Sequence, residues 1–356
     1  VCDNYKKYYI KKMITGKTIG GRYYIISLLG KGGFGETYLA HDEHLPDKPQ
    51  CVVKRFKPQS NDPFLLQEAK CLFDSEPKIL KKLGSHDRIP QLFAHFEENQ
   101  EYYLVQELIA GHDLSHEFNP SQQTGAKGVQ FNESQVIELL CDILDVLKSV
   151  HQQNIIHRDI KPSNLMRRDS DGRIVLIDFG AVKQIGSQLK YSQGQPQTVP
   201  IGTPGYTPNE QENGHPKLCS DIYAVGMTAI QALTGVFPHE LPKDPNTLEV
   251  MWRERVSVSP KFAAILDMMV RYQWQQRYQS ADAALSAIDH LVASSTAPTV
   301  ISPRPPLPSP NSPAIKKWLI GLVCLGIVAV GGIFITQFMR TQPGWQPISA
   351  PSKPVL

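Results

Sequence analysis

The eight residues His157-Arg158-Asp159-Ile160-Lys161-Pro162-Ser163-Asn164, followed after thirteen intervening residues by Asp178-Phe179-Gly180, carry the chemistry of this chain. Asp159 can accept or orient the proton of an incoming hydroxyl. Lys161, two residues on, can neutralise charge on a transferring phosphoryl group. Asn164 and Asp178 offer hard oxygen atoms to cations that bridge phosphates, a donor set suited to Mg²⁺ or Mn²⁺ and not to zinc. The set suits in-line transfer of the γ-phosphoryl group of ATP to a hydroxyl, driven by positioning and electrostatics without a covalent intermediate. Seven fixed positions (His157, Arg158, Asp159, Lys161, Asn164, Asp178, Gly180) recur by chance at a given start about once in a billion, so coincidence does not explain them.

Upstream, Gly30-Lys31-Gly32-Gly33-Phe34-Gly35 reads G-x-G-x-x-G. Dinucleotide-binding folds share this pattern, but there it opens a helix and an acidic residue follows about 20 positions on. Here it lies between two apolar strand-like runs, which suits a hairpin laid over a triphosphate, with backbone N–H groups approaching phosphate oxygens free of any Cβ. Lys54 ends the run Cys51-Val52-Val53. A solvated surface lysine is the alternative, and its place at the end of a buried run argues against that. Its ammonium can pair with the α- and β-phosphates and be held by a helix glutamate. Glu76 and Glu68 both precede the turn Ser85-His86-Asp87 and both are candidates. Glu76 is preferred, on a helix Glu76–Leu83 that begins or kinks there, since Pro77 is acceptable at a first helical position; Glu68 is the reserve.

The elements that must position these groups follow from periodicity. Tyr23–Leu29, Glu36–His41 and Cys51–Phe56 read as strands. Asn132–Val150 places Val136, Leu139, Leu140, Ile143, Leu147 and Val150 on one helical face. Ile174-Val175-Leu176-Ile177 is a short buried strand delivering Asp178. Ser220 or Asp221 caps a second apolar helix that runs through Leu233 and ends at Gly235. The order predicts an α+β fold, a small strand-rich lobe followed by a larger helical lobe with a cleft between them.

Length and composition set the frame. The chain has 356 residues, 41% of them hydrophobic, and a formal net charge of +3. It has no basic stripe, so nucleic acid is not an implied partner. The six cysteines (Cys2, Cys51, Cys71, Cys141, Cys219, Cys324) are scattered without C-x-x-C spacing and read as free thiols in a reducing compartment. Residues 1–22 form an N-terminal extension; Val1–Lys12 lacks an apolar core and a cleavage site and is not a secretory signal, and either Val1 or Met13 stands as the start. Residues 23–292 read as one catalytic unit.

Residues 293–315 form a linker whose prolines favour an extended spacer. Residues 318–338, from Trp318 to Phe338, are 21 positions without a charged side chain. As a helix they would span about 31 Å, against a hydrocarbon core of about 30 Å. The expectation is a single membrane span, with Trp318 at one interface. Lys316, Lys317 and Arg304 before it, against Arg340 and Lys353 after it, place the N-terminal side in the cytoplasm, where ATP is. The tail 339–356 is too short for a sensor domain. Gly321, Gly326, Gly331 and Gly332 form no clean G-x-x-x-G, so the span itself does not argue for a helix dimer.

Taken together, these motifs resemble the eukaryotic-type serine/threonine protein kinases of bacteria, in their single-pass, membrane-anchored form. The resemblance covers residues 23–292 and implies a bilobal protein-kinase-like fold with an N-lobe at about 23–106, a C-lobe at about 110–292 and Mg-ATP under the glycine-rich loop. It implies a hinge at Gln106-Glu107-Leu108-Ile109, with adenine bound by the backbone at Glu107 and Ile109. Asp159 and Lys161 would be catalytic, and Gly30–Gly35, Lys54 and Glu76 would serve ATP. Residues 180–210 would be the activation loop, with Ser187, Ser192 and Thr198 as candidate phosphorylation sites and Arg158 pairing with the phosphate. Gly202–Tyr206 resembles the substrate-docking turn, with Thr203 near Asp159. Asp221 would hold the catalytic loop and Arg277 would pair with Glu210.

The chain departs from the family pattern in three places. The A-P-E motif reads Pro208-Asn209-Glu210, the alanine of V-A-I-K is Val52, and the valine after the glycine loop is Thr37. The implied partners are ATP, Ser/Thr-containing proteins, the membrane, and a second copy phosphorylated in trans. The competing readings are an inactive pseudokinase scaffold and a small-molecule phosphotransferase. The first is disfavoured by the presence of Lys54, Asp159, Asn164 and Asp178, the second by the docking turn and the Glu210/Arg277 pair.

Overall fold

A computed structural model describes residues 14–296 apart from 33–34, 57–62, 85, 119–129, 180–182 and 185–202. The readings made for the N-terminal segment 1–13, for Gly33, Phe34 and Gly180, for Ser187, Ser192 and Thr198, and for 297–356 with its apolar stretch 318–338, lie outside the described residues. Among the described residues no helix is long and apolar enough to cross a membrane.

The small lobe is built on a six-stranded antiparallel sheet in the order β1-β2-β3-β4-β6-β5. The strands are β1 (Thr18–Ile19), β2 (Tyr23–Gly32), β3 (Gly35–Asp42), β4 (Gln50–Phe56), β5 (Leu92–Glu98) and β6 (Glu101–Glu107). One face buries Ile19, Tyr23, Ile25, Tyr38, Ala40, Val53, Tyr103 and Val105 together with Ile14. Because strand side chains alternate, burying Val53 on that face turns Lys54 to the other. There the lobe carries α1 (Pro63–Leu83), which buries Phe73, Ile79 and Leu80.

The helix α1 differs from expectation. It starts at Pro63 and runs unbroken to Leu83, so Glu76 sits in its interior rather than at its start. Pro77 is therefore an interior proline, a cost of about 3 kcal/mol. The apolar burial around it and the ion pair made by Glu76 offset that cost.

The larger lobe is helical. Its helices are α2 (Leu114–Phe118), α3 (Glu133–Gln152), α4 (Asn209–Glu212), α5 (Leu218–Thr234), α6 (Pro260–Met269) and α7 (Ala281–Thr296). Asn132 caps α3: its side chain accepts from Gln135 N at 2.9 Å, and Gln135 Oε1 accepts from Asn132 N at 2.9 Å. The helix α5 is buried on all sides from Cys219 to Thr234, as its nearly uncharged sequence requires, and Gly235 ends it in the left-handed region at φ 66°. Neither Ser220 nor Asp221 is its cap. The cap is Lys217, and Ser220 Oγ accepts from Lys217 N at 2.9 Å. Asp221 is drawn away from the helix end by partners in the catalytic loop. The helix α7 runs to Thr296, four residues into the segment read as linker, because 293–296 holds no proline.

Short strands place the catalytic loop. Strand β9 (Leu165–Arg168) pairs with β10 (Ile174–Leu176) on one side and β7 (Gly111–Asp113) on the other, and β8 (Ile155–Ile156) pairs with β11 (Lys183–Gln184). The segment His157–Asn164 thus leaves β8 and enters β9 with both ends fixed.

Candidate active site

The register of the β9–β10 hairpin brings the two oxygen donors to one end. Leu176 pairs with Leu165, and one step further Ile177 N donates to Asn164 O at 3.0 Å. Asn164, just before β9, and Asp178, two residues beyond β10, therefore lie at the same end of the hairpin. Asn164 Nδ2 donates to Asp159 O at 2.7 Å and to Asp159 Oδ2 at 2.9 Å, which turns its carbonyl oxygen away from Asp159. Asp178 adopts φ 67°, in the left-handed region, and its side chain remains 45% exposed. These two oxygen donors suit Mg²⁺, which takes one or two protein ligands and completes its shell from phosphates and water. Among the described residues no three His, Cys, Asp or Glu side chains cluster as an all-protein cage.

Lys54 ties the two lobes together. Its Nζ lies 2.8 Å from Glu76 Oε1 and 3.0 Å from Asp178 Oδ1. Burial works against the Lys54 charge, yet the Asp178 and Glu76 carboxylates outweigh it and its pKa is raised. Lys54, in turn, holds the Asp178 carboxyl down at about 2 against the opposing effect of burial. Glu76 shifts the other way: burial raises it more than Lys54 lowers it. Of the two candidates Glu76 makes this contact; the Glu68 side chain lies among those not described.

Asp159 is the second centre. Thr203 Oγ1 donates to Asp159 Oδ1 at 3.0 Å and accepts from Lys161 Nζ at 2.9 Å. Lys161 Nζ also lies 2.8 Å from Asp159 Oδ2. A hydroxyl of the chain thus sits between the carboxylate and the ammonium, so the pair can receive a hydroxyl and neutralise charge beside it. Thr203 belongs to a turn in which Gly205 has φ 85°, and a Cβ there would stand 2.5 Å from His239 N, so no other residue fits.

The loop that carries Asp159 is held from below. Asp221 Oδ2 accepts from His157 N at 2.8 Å and Asp221 Oδ1 accepts from Arg158 N at 2.8 Å. Arg158 has φ 72°, and its carbonyl accepts from Gln211 Nε2 at 2.6 Å. His157 is fully buried, contacts Ile177 O through Nε2 at 3.1 Å and packs edge-on against Phe179. Burial lowers its pKa. Glu210 and Arg277 form a buried two-pronged pair at 2.7 and 3.1 Å, with Ser220 Oγ donating to Glu210 at 2.7 Å. Where the family has proline, Asn209 Oδ1 accepts from Glu210 N at 2.8 Å and Pro208 stands at the helix cap, so the turn is rebuilt around a different residue.

At the glycine-rich turn, β2 and β3 continue to Gly32 and Gly35, which pair with each other. A Cβ on Gly35 would stand 2.0 Å from Arg55 O, so packing alone demands glycine there. Among the described residues, chain neighbours aside, no atom lies within 4 Å of a Cβ built on Gly30. Lys31 lies 3.1 Å from Glu36. Glu107 ends β6, with its N donating to Gln91 O at 2.9 Å, and Leu108, Ile109 and Ala110 link it to β7. Sequence reasoning missed Gln211 and His151, which brace the loop. Their contacts are 53 and 70 residues distant along the chain, and no spacing signals them.

The family model described as protein kinase domain matches residues 23–294, and the chain belongs to that family. Two relatives narrow the comparison. Serine/threonine-protein kinase B of Synechocystis sp. is 43% identical over 276 residues, covering 76% of this chain and 47% of its own length. Serine/threonine-protein kinase PknA of Nostoc sp. is 42% identical over 290 residues, covering 81% of this chain and 50% of its own length. The chain spans about half the length of the curated relatives it matches. Among solved structures, the Mycobacterium tuberculosis PknI kinase domain superposes with a TM-score of 0.57 at 22% identity, covering 78% of this chain and 99% of that domain, a likeness of fold.

Proposed function

We propose that this chain is a serine/threonine protein kinase that transfers the γ-phosphoryl group of Mg-ATP to Ser or Thr hydroxyls of proteins, its own activation segment included. The observation that carries the reading is Thr203 Oγ1 held between Asp159 Oδ1 and Lys161 Nζ, with Asn164 bonded to the same aspartate. An incoming hydroxyl in that position gives its proton toward Asp159, while Lys161 faces the charge that develops on the transferring group. Asn164 and Asp178 would hold Mg²⁺, which when bound draws charge from the phosphates and orients them for in-line attack. Lys54, fixed by Glu76, reaches the α- and β-phosphates. The open space over Gly30 leaves the backbone free to approach phosphate oxygens. Glu107 and Ile109 offer backbone groups to adenine, and Arg158 would meet a phosphate on Ser187, Ser192 or Thr198.

The reading extends to the membrane on sequence grounds. The uncharged stretch 318–338, flanked by Lys316, Lys317 and Arg340, supports a single span that tethers the kinase domain on the cytoplasmic face. Tethered copies would phosphorylate one another.

Incubation of the full chain with γ-labelled ATP, Mg²⁺ and a basic protein substrate tests the activity. Label on serine or threonine that disappears in Asp159→Asn and Lys54→Met is the expected result. ATP binding without transfer, in detergent and in lipid alike, would replace the reading with that of a scaffold. Flotation with lipid vesicles, lost on deletion of 318–338, tests the tether, and unchanged flotation would reject it.

A further inference from the structure

The face of the small-lobe sheet opposite Lys54 carries a polar ladder that no step of the proposed chemistry uses. Lys31 stands across from Glu36 on β2 and β3, Glu36 across from Arg55 on β3 and β4, and Arg55 across from Tyr103 on β4 and β6. Four directly opposed residues thus cross four strands in one line. Arg55 is its centre and is 4% exposed. Arg55 Nη1 donates to Glu36 Oε2 at 3.2 Å and Arg55 Nε to Glu101 Oε2 at 2.7 Å, with a further bond from Nη2 to Glu101 Oε1. Each carboxylate also takes a tyrosine: Tyr38 Oη donates to Glu36 Oε2 at 2.6 Å, and Tyr103 Oη to Glu101 Oε2 at 2.8 Å. Glu36 Oε1 meets Lys31 Nζ at 3.1 Å. Burial works against the Glu36 charge, yet the bonds from Tyr38 and Lys31 outweigh it and its pKa is lowered.

We infer that Arg55 is a positioning residue for the nucleotide: through Glu36 it fixes the stem of the glycine-rich hairpin, and with it the affinity for ATP. The ladder crosses the hairpin at Lys31 and Glu36, one pair from Gly32 and Gly35 at the end of β2 and β3. Gly30 and Thr37, one pair further back, stand on the other face with Lys54 by strand alternation. Arg55 also holds this stem through its backbone, since its carbonyl oxygen fills the space that a Cβ on Gly35 would need. A two-stranded hairpin is marginal by itself and takes its place from what lies beside it. Here the neighbour is β4, and Arg55 joins the hairpin to it and, through Glu101, to β6. A guanidinium can serve carboxylates on two of its edges at once, which a point-charge ammonium cannot. The consequence for ATP rests on the kinase reading; the hold on the hairpin does not.

Full-length wild type is compared with Arg55→Met, with the milder Glu36→Gln, and with Val53→Ala, a buried neighbour on the same strand and face that lies outside the ladder. Both ladder variants should weaken ATP binding, read by calorimetry, about 5- to 10-fold, the scale of one lost charged hydrogen bond. KM for ATP should rise in step, with kcat retained within about twofold. Val53→Ala should lower the melting temperature at unchanged ATP affinity, and a merely structural role would make the ladder variants behave in the same way. Unchanged ATP affinity in folded Glu36→Gln overturns the inference even if Arg55→Met does not fold. Hydrogen exchange without nucleotide supplies the readout that needs no activity. In Glu36→Gln, peptides covering 23–42 should exchange about 5- to 10-fold faster, and those covering 92–107 no faster. Equal acceleration of both, or of neither, overturns the hold on the hairpin. A wild type that binds no ATP would reject the kinase reading and the nucleotide consequence with it, while the exchange result still decides the ladder.

Discussion

Two aspartates, Asp178 and Asp221, stand in contact with the same catalytic machinery and are held in opposite ways. Asp178 is 45% exposed and is held by a charge, the ammonium of Lys54. Asp221 is 1% exposed and is held by the backbone N–H groups of His157 and Arg158 and by the His151 ring. The first keeps oxygen directed at solvent and is fit to take a ligand. The second spends its oxygens on fixed donors and is fit to hold a backbone. A carboxylate's role here is thus set by who its partners are and how much of it water can reach, more than by its distance from the reacting centre.

The contrast predicts a division between lost chemistry and lost stability. Asp178→Ala should lower turnover by about 10³-fold or more while leaving the melting temperature near that of the wild type. Substantial phosphotransfer by the folded variant would remove Asp178 from the metal site. Asp221→Ala should act first on stability, by about 3–5 kcal/mol, the scale for deleting one partner of a buried charged network. Urea unfolding measures it, and a loss below about 1 kcal/mol would mean that water or another group satisfies the loop.

The charge-held aspartate should also be the acid-sensitive one. Because Lys54 depresses Asp178 from its ordinary 3.8 to about 2, their attraction contributes fully above the upper value and is lost as pH falls through the lower. The stability difference between wild type and Lys54→Met, followed by urea midpoint, should therefore narrow as pH drops from about 4 toward 2. A gap independent of pH would contradict the pairing. The smallest effect belongs to Asn209→Ala, which removes the acceptor for Glu210 N. It should cost ~1 kcal/mol with kcat unchanged. A larger loss of kcat would show that this rebuilt turn also shapes the substrate site.

Asp159, Lys161, Asn164, Asp178 and Lys54 were legible in the sequence because phosphoryl transfer fixes both their types and their spacing. The lobes were legible because strand alternation and helical apolar faces precede packing. What was misread has long-range causes. Pro77 suggested a helix that begins or kinks at Glu76; apolar burial along α1 carries the helix through it, so the start lies at Pro63. Ser220 and Asp221 both have good capping side chains, yet the cap fell to Lys217 because Asp221 is claimed by residues 63 and 64 positions away. His151 gave no signal at all, since its partners lie 70 and 130 residues away.

The metal-holding role of Asp178 is tested most directly by the Mg²⁺ dependence of ATP binding, measured by calorimetry on the wild type and on Asp178→Asn. Mg²⁺ should tighten ATP binding to the wild type, and this gain should disappear in Asp178→Asn, with the melting temperature retained. An undiminished Mg²⁺ effect in the folded variant would contradict it.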